Sequence, residues 1–121
     1  MNFVEGTRFT PSKHTASKSP YRHLLPPRAG GIAFVLGAMG QMLHSVLDVT
    51  IAYRERTPTL WDLCCGRLET VRVHIVRRPI EAWTAAGDYA NDSAYRARFK
   101  RWLREMWEEK DRQLEAMATA P

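Results

Sequence analysis

Residues Asn2-Phe3-Val4-Glu5-Gly6-Thr7-Arg8 set a carboxylate, a glycine, a hydroxyl and a guanidinium in consecutive positions. Together these groups can hold a phosphate. Gly6 permits close backbone approach, Thr7 can donate its hydroxyl to a phosphate oxygen, and the planar fork of Arg8 matches two such oxygens at once. Glu5 either orients Arg8 or accepts a hydroxyl of the ligand. Asn2 to Val4 reads as the end of a strand, and the carboxyl ends of strands are where α/β folds bind ligands.

The charge distribution points to the same region. Of 18 Lys and Arg against 13 Asp and Glu, five cations (Arg8, Lys13, Lys18, Arg22 and Arg28) lie between Gly6 and Leu47, which holds no acid. The rest of the chain therefore balances at 13 against 13. A positive field concentrated in this way attracts phosphates, whether on nucleic acid, anionic lipid or a small substrate.

The elements that must position these groups follow from pattern. At 121 residues the chain is long enough for one small domain, and 45% hydrophobic with 26% charged residues is a globular composition. Thr10 to Pro27 is rich in Ser, Thr, Lys, His and Pro and reads as a long basic loop. Loops of this length are either functional or floppy, and both readings stay open. Gly30 and Gly31 open a buried helix over Ile32 to Met39. Val46 to Tyr53 and Glu69 to Val76 are rich in β-branched residues and read as strands. Between them Thr59 to Cys65 makes a short helix capped by Thr57 or Thr59 and ended by Gly66. From Asp92 to about Met117 the residues Tyr95, Phe99, Trp102, Leu103, Met106, Leu114 and Met117 recur at helical spacing, interrupted by Lys110 and Gln113, with Asp92 or Ser93 as the cap. The alternation of strand and helix suggests an α/β sheet.

The two cysteines, Cys64 and Cys65, are adjacent. They are unsuited to a mutual disulfide, have no second pair for zinc, and are expected to be buried apolar side chains in a reducing cytoplasm. Met1 to Arg8 lacks the pattern of a signal peptide. The most apolar run, Ala29 to Leu47, is broken by four glycines, Gln41 and His44 and falls short of a membrane span.

Phe3-Val4-Glu5-Gly6-Thr7-Arg8 resembles the Phe-Pro-Glu-Gly-Thr-Arg block of the glycerol-3-phosphate and 1-acylglycerol-3-phosphate acyltransferase family, with Val4 at the usual Pro and Phe9 where Ser is common. Pro27-Arg28-Ala29-Gly30-Gly31 is similar to the basic, glycine-containing entry to the helix after that block. Leu47-Asp48-Val49-Thr50-Ile51 stands where the family has its last motif, with Asp48 in place of Pro. Phe34-Val35-Leu36, the stretch from Trp61 to Arg67 and the helix from Trp102 to Lys110 resemble a bacterial membrane-associated branch, so the resemblance covers most of the chain.

The resemblance implies the C-terminal part of an α/β acyltransferase sheet-and-helix fold, ending in a long amphipathic helix. Its parts are a phosphate motif (1–8), the basic loop (9–28), an α/β core (29–91) and the C-terminal helix (92–117). Substrate phosphate falls to Glu5, Gly6, Thr7, Arg8 and Arg28. The resemblance further implies acyl-CoA or acyl-carrier protein as donor, no metal or other cofactor, a lysophospholipid substrate, an anionic membrane surface as partner, no nucleic acid, and a full-length protein at the cytoplasmic face of the inner membrane.

The family's base is the histidine of a motif with four residues between His and Asp, which draws the proton from the acceptor hydroxyl and lies upstream of the phosphate block. Five positions beyond His14, His23, His44 and His74 stand Ser19, Arg28, Val49 and Pro79, none of them an aspartate. His44 and Asp48 are one residue too close and follow the block; His44 instead suits a helix end and His74 a strand face. The expectation is a truncated part without a base, inactive alone, exposing a sheet edge and apolar surface and prone to marginal stability or self-association.

A rival reading is a basic module that binds nucleic acid or a membrane surface without catalysis. Trp102 and Trp107 beside the arginines of the last helix would be its contacts, whereas the basic loop near Tyr21 and the Leu24-Leu25 pair would rest on anionic lipid and help the enzyme meet a lipid substrate. The acidic run Glu105 to Asp111 weakens the helical surface, and a packing stripe is the plainer reading. The module would lose affinity uniformly with salt, whereas the acyltransferase part would depend on Arg8 in particular.

Overall fold

The last helix is the spine of the molecule. In the computed structural model, which describes residues 1–54 and 56–120, it runs without a break over Ser93–Thr119 and buries Phe99, Leu103, Met106 and Trp107. Asp92 caps it by accepting the Tyr95 amide at 3.1 Å, which satisfies one of the otherwise orphaned N–H groups of the first turn. In chain order the elements are α1 (Pro11–Ser17), α2 (Ala29–Met39), β1 (Ser45–Tyr53), α3 (Leu60–Cys64), β2 (Val71–Pro79), α4 (Ala82–Ala85) and α5 (Ser93–Thr119).

Helix α2 buries Ala29, Ile32, Ala33 and Leu36, a spacing that places all four on one side. That side packs into a core with Tyr21, Leu24, Phe99, Leu103, Met106 and Trp107. Gly40 closes α2 where any Cβ would lie 2.5 Å from the Cβ of Ala85, so only glycine lets α4 approach. Trp83 of α4 meets Tyr95, Phe99 and Trp102 edge-on at 6.1–6.4 Å, and Arg98 lies over its ring at 4.1 Å.

Strands β1 and β2 pair antiparallel, from Ser45 opposite Pro79 to Tyr53 opposite Val71. No other strand joins them among the described residues. Their polarity is reversed from the usual half-buried hairpin. Asp48 and Thr50 are buried, whereas Leu47, Val49 and Ile51, with Val73 and Ile75 across from Ile51 and Val49, are exposed. The inward side is made tolerable by charge: Asp48 accepts from Lys110 Nζ at 2.5 Å and from Arg78 Nε at 3.2 Å, and Arg78 also reaches Glu109 at 3.1 Å. Lys110 is therefore no gap in the helical stripe but the partner of a buried aspartate.

Several sequence expectations are revised. Asn2 to Val4 is not a strand; the Phe3 carbonyl accepts from the Gly6 amide at 2.9 Å and the Val4 carbonyl from the Arg28 amide at 2.8 Å. The expected loop contains α1, because Pro11 occupies the first helical turn, where its fixed φ favours a helix, and Thr10 caps it through the Lys13 amide. Cys64 and Cys65 are exposed, since the inward position of α3 goes to Asp62. That carboxylate accepts from the Thr59 amide at 2.8 Å, the Thr59 hydroxyl at 2.7 Å and Arg56 at 2.9 Å, and the Thr59 bonds hold its carboxyl below the usual range. Tyr21, Leu24 and Leu25 lie in the core, so they do not form a lipid-facing surface. Among the described residues no helix is long and apolar enough to cross a membrane.

Candidate phosphate-binding site

Glycine at position 6 is required by geometry. Its φ is +72°, and a Cβ there would lie 3.2 Å from Cδ and 3.6 Å from Nε of Arg28. The Arg28 side chain thus lies along the bare backbone of Gly6. The Arg28 amide bond to Val4 fixes the two segments side by side, bringing together Gly6 and Arg28, separated in sequence by the whole basic loop.

Thr7 is addressed by a residue not included in the motif. Lys13 Nζ donates to Thr7 Oγ1 at 2.7 Å and approaches the Arg8 carbonyl at 3.4 Å. A hydroxyl that accepts from an ammonium keeps its own O–H proton to donate elsewhere. Arg8 and Arg28 are both exposed. Among the described residues no carboxylate forms an ion pair with Arg8, Lys13 or Arg28.

Glu5 faces the other way. Its Oε1 accepts the Leu25 amide at 3.0 Å, and it forms no hydrogen bond with Arg8 among the described residues. Burial pushes its carboxyl above the ordinary range, while the Leu25 amide and the charge of Lys110 pull it back. The Leu25 carbonyl in turn accepts from Trp107 Nε1 at 2.9 Å, in a buried bond. One residue of the loop is thus held through both its backbone groups, from the motif on one side and from α5 on the other.

The rest of the loop is held as firmly. Asp111 accepts the Arg22 and His23 amides at 2.9 and 2.8 Å, and Glu115 pairs with the side chains of both residues. Within the loop, His14 Nε2 bonds the Tyr21 carbonyl at 2.6 Å. Arg22 is accordingly spent on α5, whereas Arg8, Lys13 and Arg28 remain open to a ligand. The cradle is an open surface: cavities of about 300 and 220 Å³ lie elsewhere, around Tyr53, Arg54 and Thr70.

His44 and Asp48 do not form a dyad. His44 is exposed after α2, and Asp48 is buried against Lys110 and Arg78. His74 is exposed on β2, as its strand position suggested.

Comparison with known proteins shows what the chain is similar to. The chain is 28% identical over 116 residues to human 1-acyl-sn-glycerol-3-phosphate acyltransferase delta, covering 88% of this chain and 28% of that protein. It is 29% identical over 118 residues to the mouse gamma enzyme, covering 90% of this chain and 29% of that protein. The chain is thus similar to part of the 1-acyl-sn-glycerol-3-phosphate acyltransferases. A similar match, 29% over 116 residues, links it to the delta enzyme of Macaca fascicularis. The chain spans less than a third of the length of the curated proteins it matches. No family model matches it, and no solved structure does.

The sequence indicated Gly6, Thr7, Arg8 and Arg28, and in the structure Arg28 lies against the turn that leads into Thr7 and Arg8. It missed Lys13 and the inward role of Glu5. The signal for Lys13 was available: Thr10 followed by Pro11 is a helix start, and a helix there turns residue 13 back towards its own cap and the motif.

Proposed function

We propose that Gly6, Thr7, Arg8 and Arg28, on a turn that Glu5 anchors from within, hold the phosphate of 1-acyl-sn-glycerol 3-phosphate in an acyltransferase of phospholipid biosynthesis, which moves a fatty acyl group from acyl-CoA or acyl-carrier protein to the acceptor's free hydroxyl. The observation that carries this reading is the placement of Arg28 against Gly6, which puts its guanidinium beside the turn that bears Thr7 and Arg8. Guanidinium forks and a hydroxyl donor are matched to phosphate oxygens. In the reaction, the acceptor oxygen bonds to the thioester carbonyl carbon, the carbon–sulfur bond breaks, the hydroxyl proton passes to a base and the donor leaves as a thiol. None of the four histidines has an aspartate five positions on, so these residues supply acceptor binding and the base is contributed from outside them. A membrane-associated enzyme at the cytoplasmic face, resting on anionic lipid, fits a substrate of this kind.

The test is acyl transfer and acceptor binding measured on the same 121 residues. Titration with sn-glycerol 3-phosphate is expected to show binding that Arg8→Ala abolishes, while incubation with acyl-CoA and lysophosphatidate yields no phosphatidate. Turnover by these residues alone would overturn the assignment of the base elsewhere. Failure to bind glycerol 3-phosphate would overturn the phosphate site.

A further inference from the structure

We infer that Lys13 is a third cationic ligand of the phosphate, and that it tunes the cradle to phosphate monoesters over diesters. The inference rests on the proposed phosphate site and extends it. Its ammonium is placed by two contacts, 2.7 Å to Thr7 Oγ1 and 3.4 Å to the Arg8 carbonyl. Both are acceptors within the motif, so the contacts set the charge at the turn.

No described carboxylate neutralises this ammonium. Lys13 has no carboxylate in ion-pair range among the described residues, whereas Lys110 and Arg22 each do. Helix α1 carries no acid in its first turn. It is itself anchored, since His14 bonds the Tyr21 carbonyl and stacks at a tilt against Phe9 at 5.6 Å. A lysine on an anchored helix, directed at a hydroxyl and a carbonyl and left without a counter-charge, is arranged to receive an anion.

The charge count then selects among anions. Lys13 touches Thr7, Arg28 lies along Gly6 and Arg8 follows Thr7 in the chain, so one turn carries or borders three cationic side chains. A phosphate monoester has three terminal oxygens and close to two negative charges above its second ionisation, at about pH 6. A diester offers two such oxygens and one charge. The third cation therefore gains little from a diester and much from the monoester dianion.

Calorimetric titration of the full chain with sn-glycerol 3-phosphate and with sn-glycero-3-phosphocholine tests this, comparing wild type with Lys13→Gln, Lys18→Gln and Arg8→Ala. Glutamine can still donate to Thr7 Oγ1, so a purely structural role for Lys13 would survive the change. Lys13→Gln is expected to weaken glycerol 3-phosphate binding by at least about tenfold. It should also shrink the preference over the diester and flatten the rise in affinity as pH passes through about 6. Lys18→Gln, with the same change in charge, should leave all three unchanged. The inference is overturned if Lys13→Gln binds glycerol 3-phosphate within twofold of wild type, or if it loses no more than Lys18→Gln; should Arg8→Ala still abolish binding, the phosphate reading stands without it. If wild type binds no glycerol 3-phosphate, both fall together.

Discussion

The carboxylate of Glu5 accepts the backbone amide of Leu25 at 3.0 Å, so the acidic residue of the phosphate motif turns inward and fastens the chain that carries Arg28. Removing that acceptor leaves a half-buried amide without a partner. Glu5→Ala is expected to lower stability by about 1–2 kcal/mol and to loosen Arg28 from Gly6. Chemical denaturation and glycerol 3-phosphate titration of the same variant would check both effects.

Glu5→Gln should behave differently. The amide oxygen of glutamine still accepts from Leu25, but nothing ionises. The Glu5 carboxyl is raised above its ordinary 4.5 in the fold, chiefly by burial, so the native state binds the proton more tightly than the unfolded chain. This group's contribution to stability is therefore fullest below 4.5 and declines as pH rises through the folded value. Melting curves across pH should show Glu5→Gln gaining on wild type over that window and holding a constant lead above it.

Gly6→Ala probes the positive φ. The variant must place a Cβ at φ +72°, within 3.2 Å of Arg28 Cδ. A loss of about 1 kcal/mol or more follows from backbone strain, and phosphate affinity should fall further than the loss of stability accounts for, because Arg28 is displaced. Equal effects of Gly6→Ala and of an alanine at exposed Gly30 would contradict this.

The Asp48, Lys110 and Arg78 cluster sets the hairpin on α5. Asp48→Ala leaves an ammonium that is 12% exposed without its carboxylate, a change expected to cost about 3–5 kcal/mol. The double variant Asp48→Leu with Lys110→Met should recover most of that loss, since Arg78 keeps Glu109 at 3.1 Å. A double-mutant cycle by denaturant titration measures the coupling.

Leu47, Val49, Ile51, Val73 and Ile75 form an exposed apolar sheet surface, with Val49 paired to Ile75 and Ile51 to Val73. Surfaces of this kind and unpaired strand edges promote association. Sedimentation velocity over a range of concentrations should reveal oligomers, and Val49→Lys with Ile75→Glu should shift the protein towards monomer.

Apolar pattern made the helices over Ala29–Met39 and Ser93–Thr119 and both strands legible, with ends displaced by at most three residues. What it could not show was which partner each position would meet. Lys110 and Gln113 looked like breaks in an apolar stripe, yet Lys110 is held inward by Asp48, a pairing between residues 62 positions apart. Prolines in the basic stretch read as breakers, although Pro11 at a helix start is a former, and with α1 unread Lys13 looked like one solvated charge among several. Gly6, Thr7, Arg8 and Arg28 were legible because their chemistry is local and matches a family block. The inward direction of Glu5 was not, because it depends on Leu25 and Trp107.

The bond from Trp107 to Leu25 has a temporal consequence. A polypeptide emerges from the ribosome from its N-terminus, and the residues joined by this bond lie 82 positions apart. Residues 5–8 are therefore made before α5 and lack the indole that steadies the strap beside them until it has been translated, and contacts of such long range form late. During synthesis the cationic turn is an unfinished cradle, and ribosome-stalled chains ending before Trp107 should bind glycerol 3-phosphate more weakly than chains that have passed it.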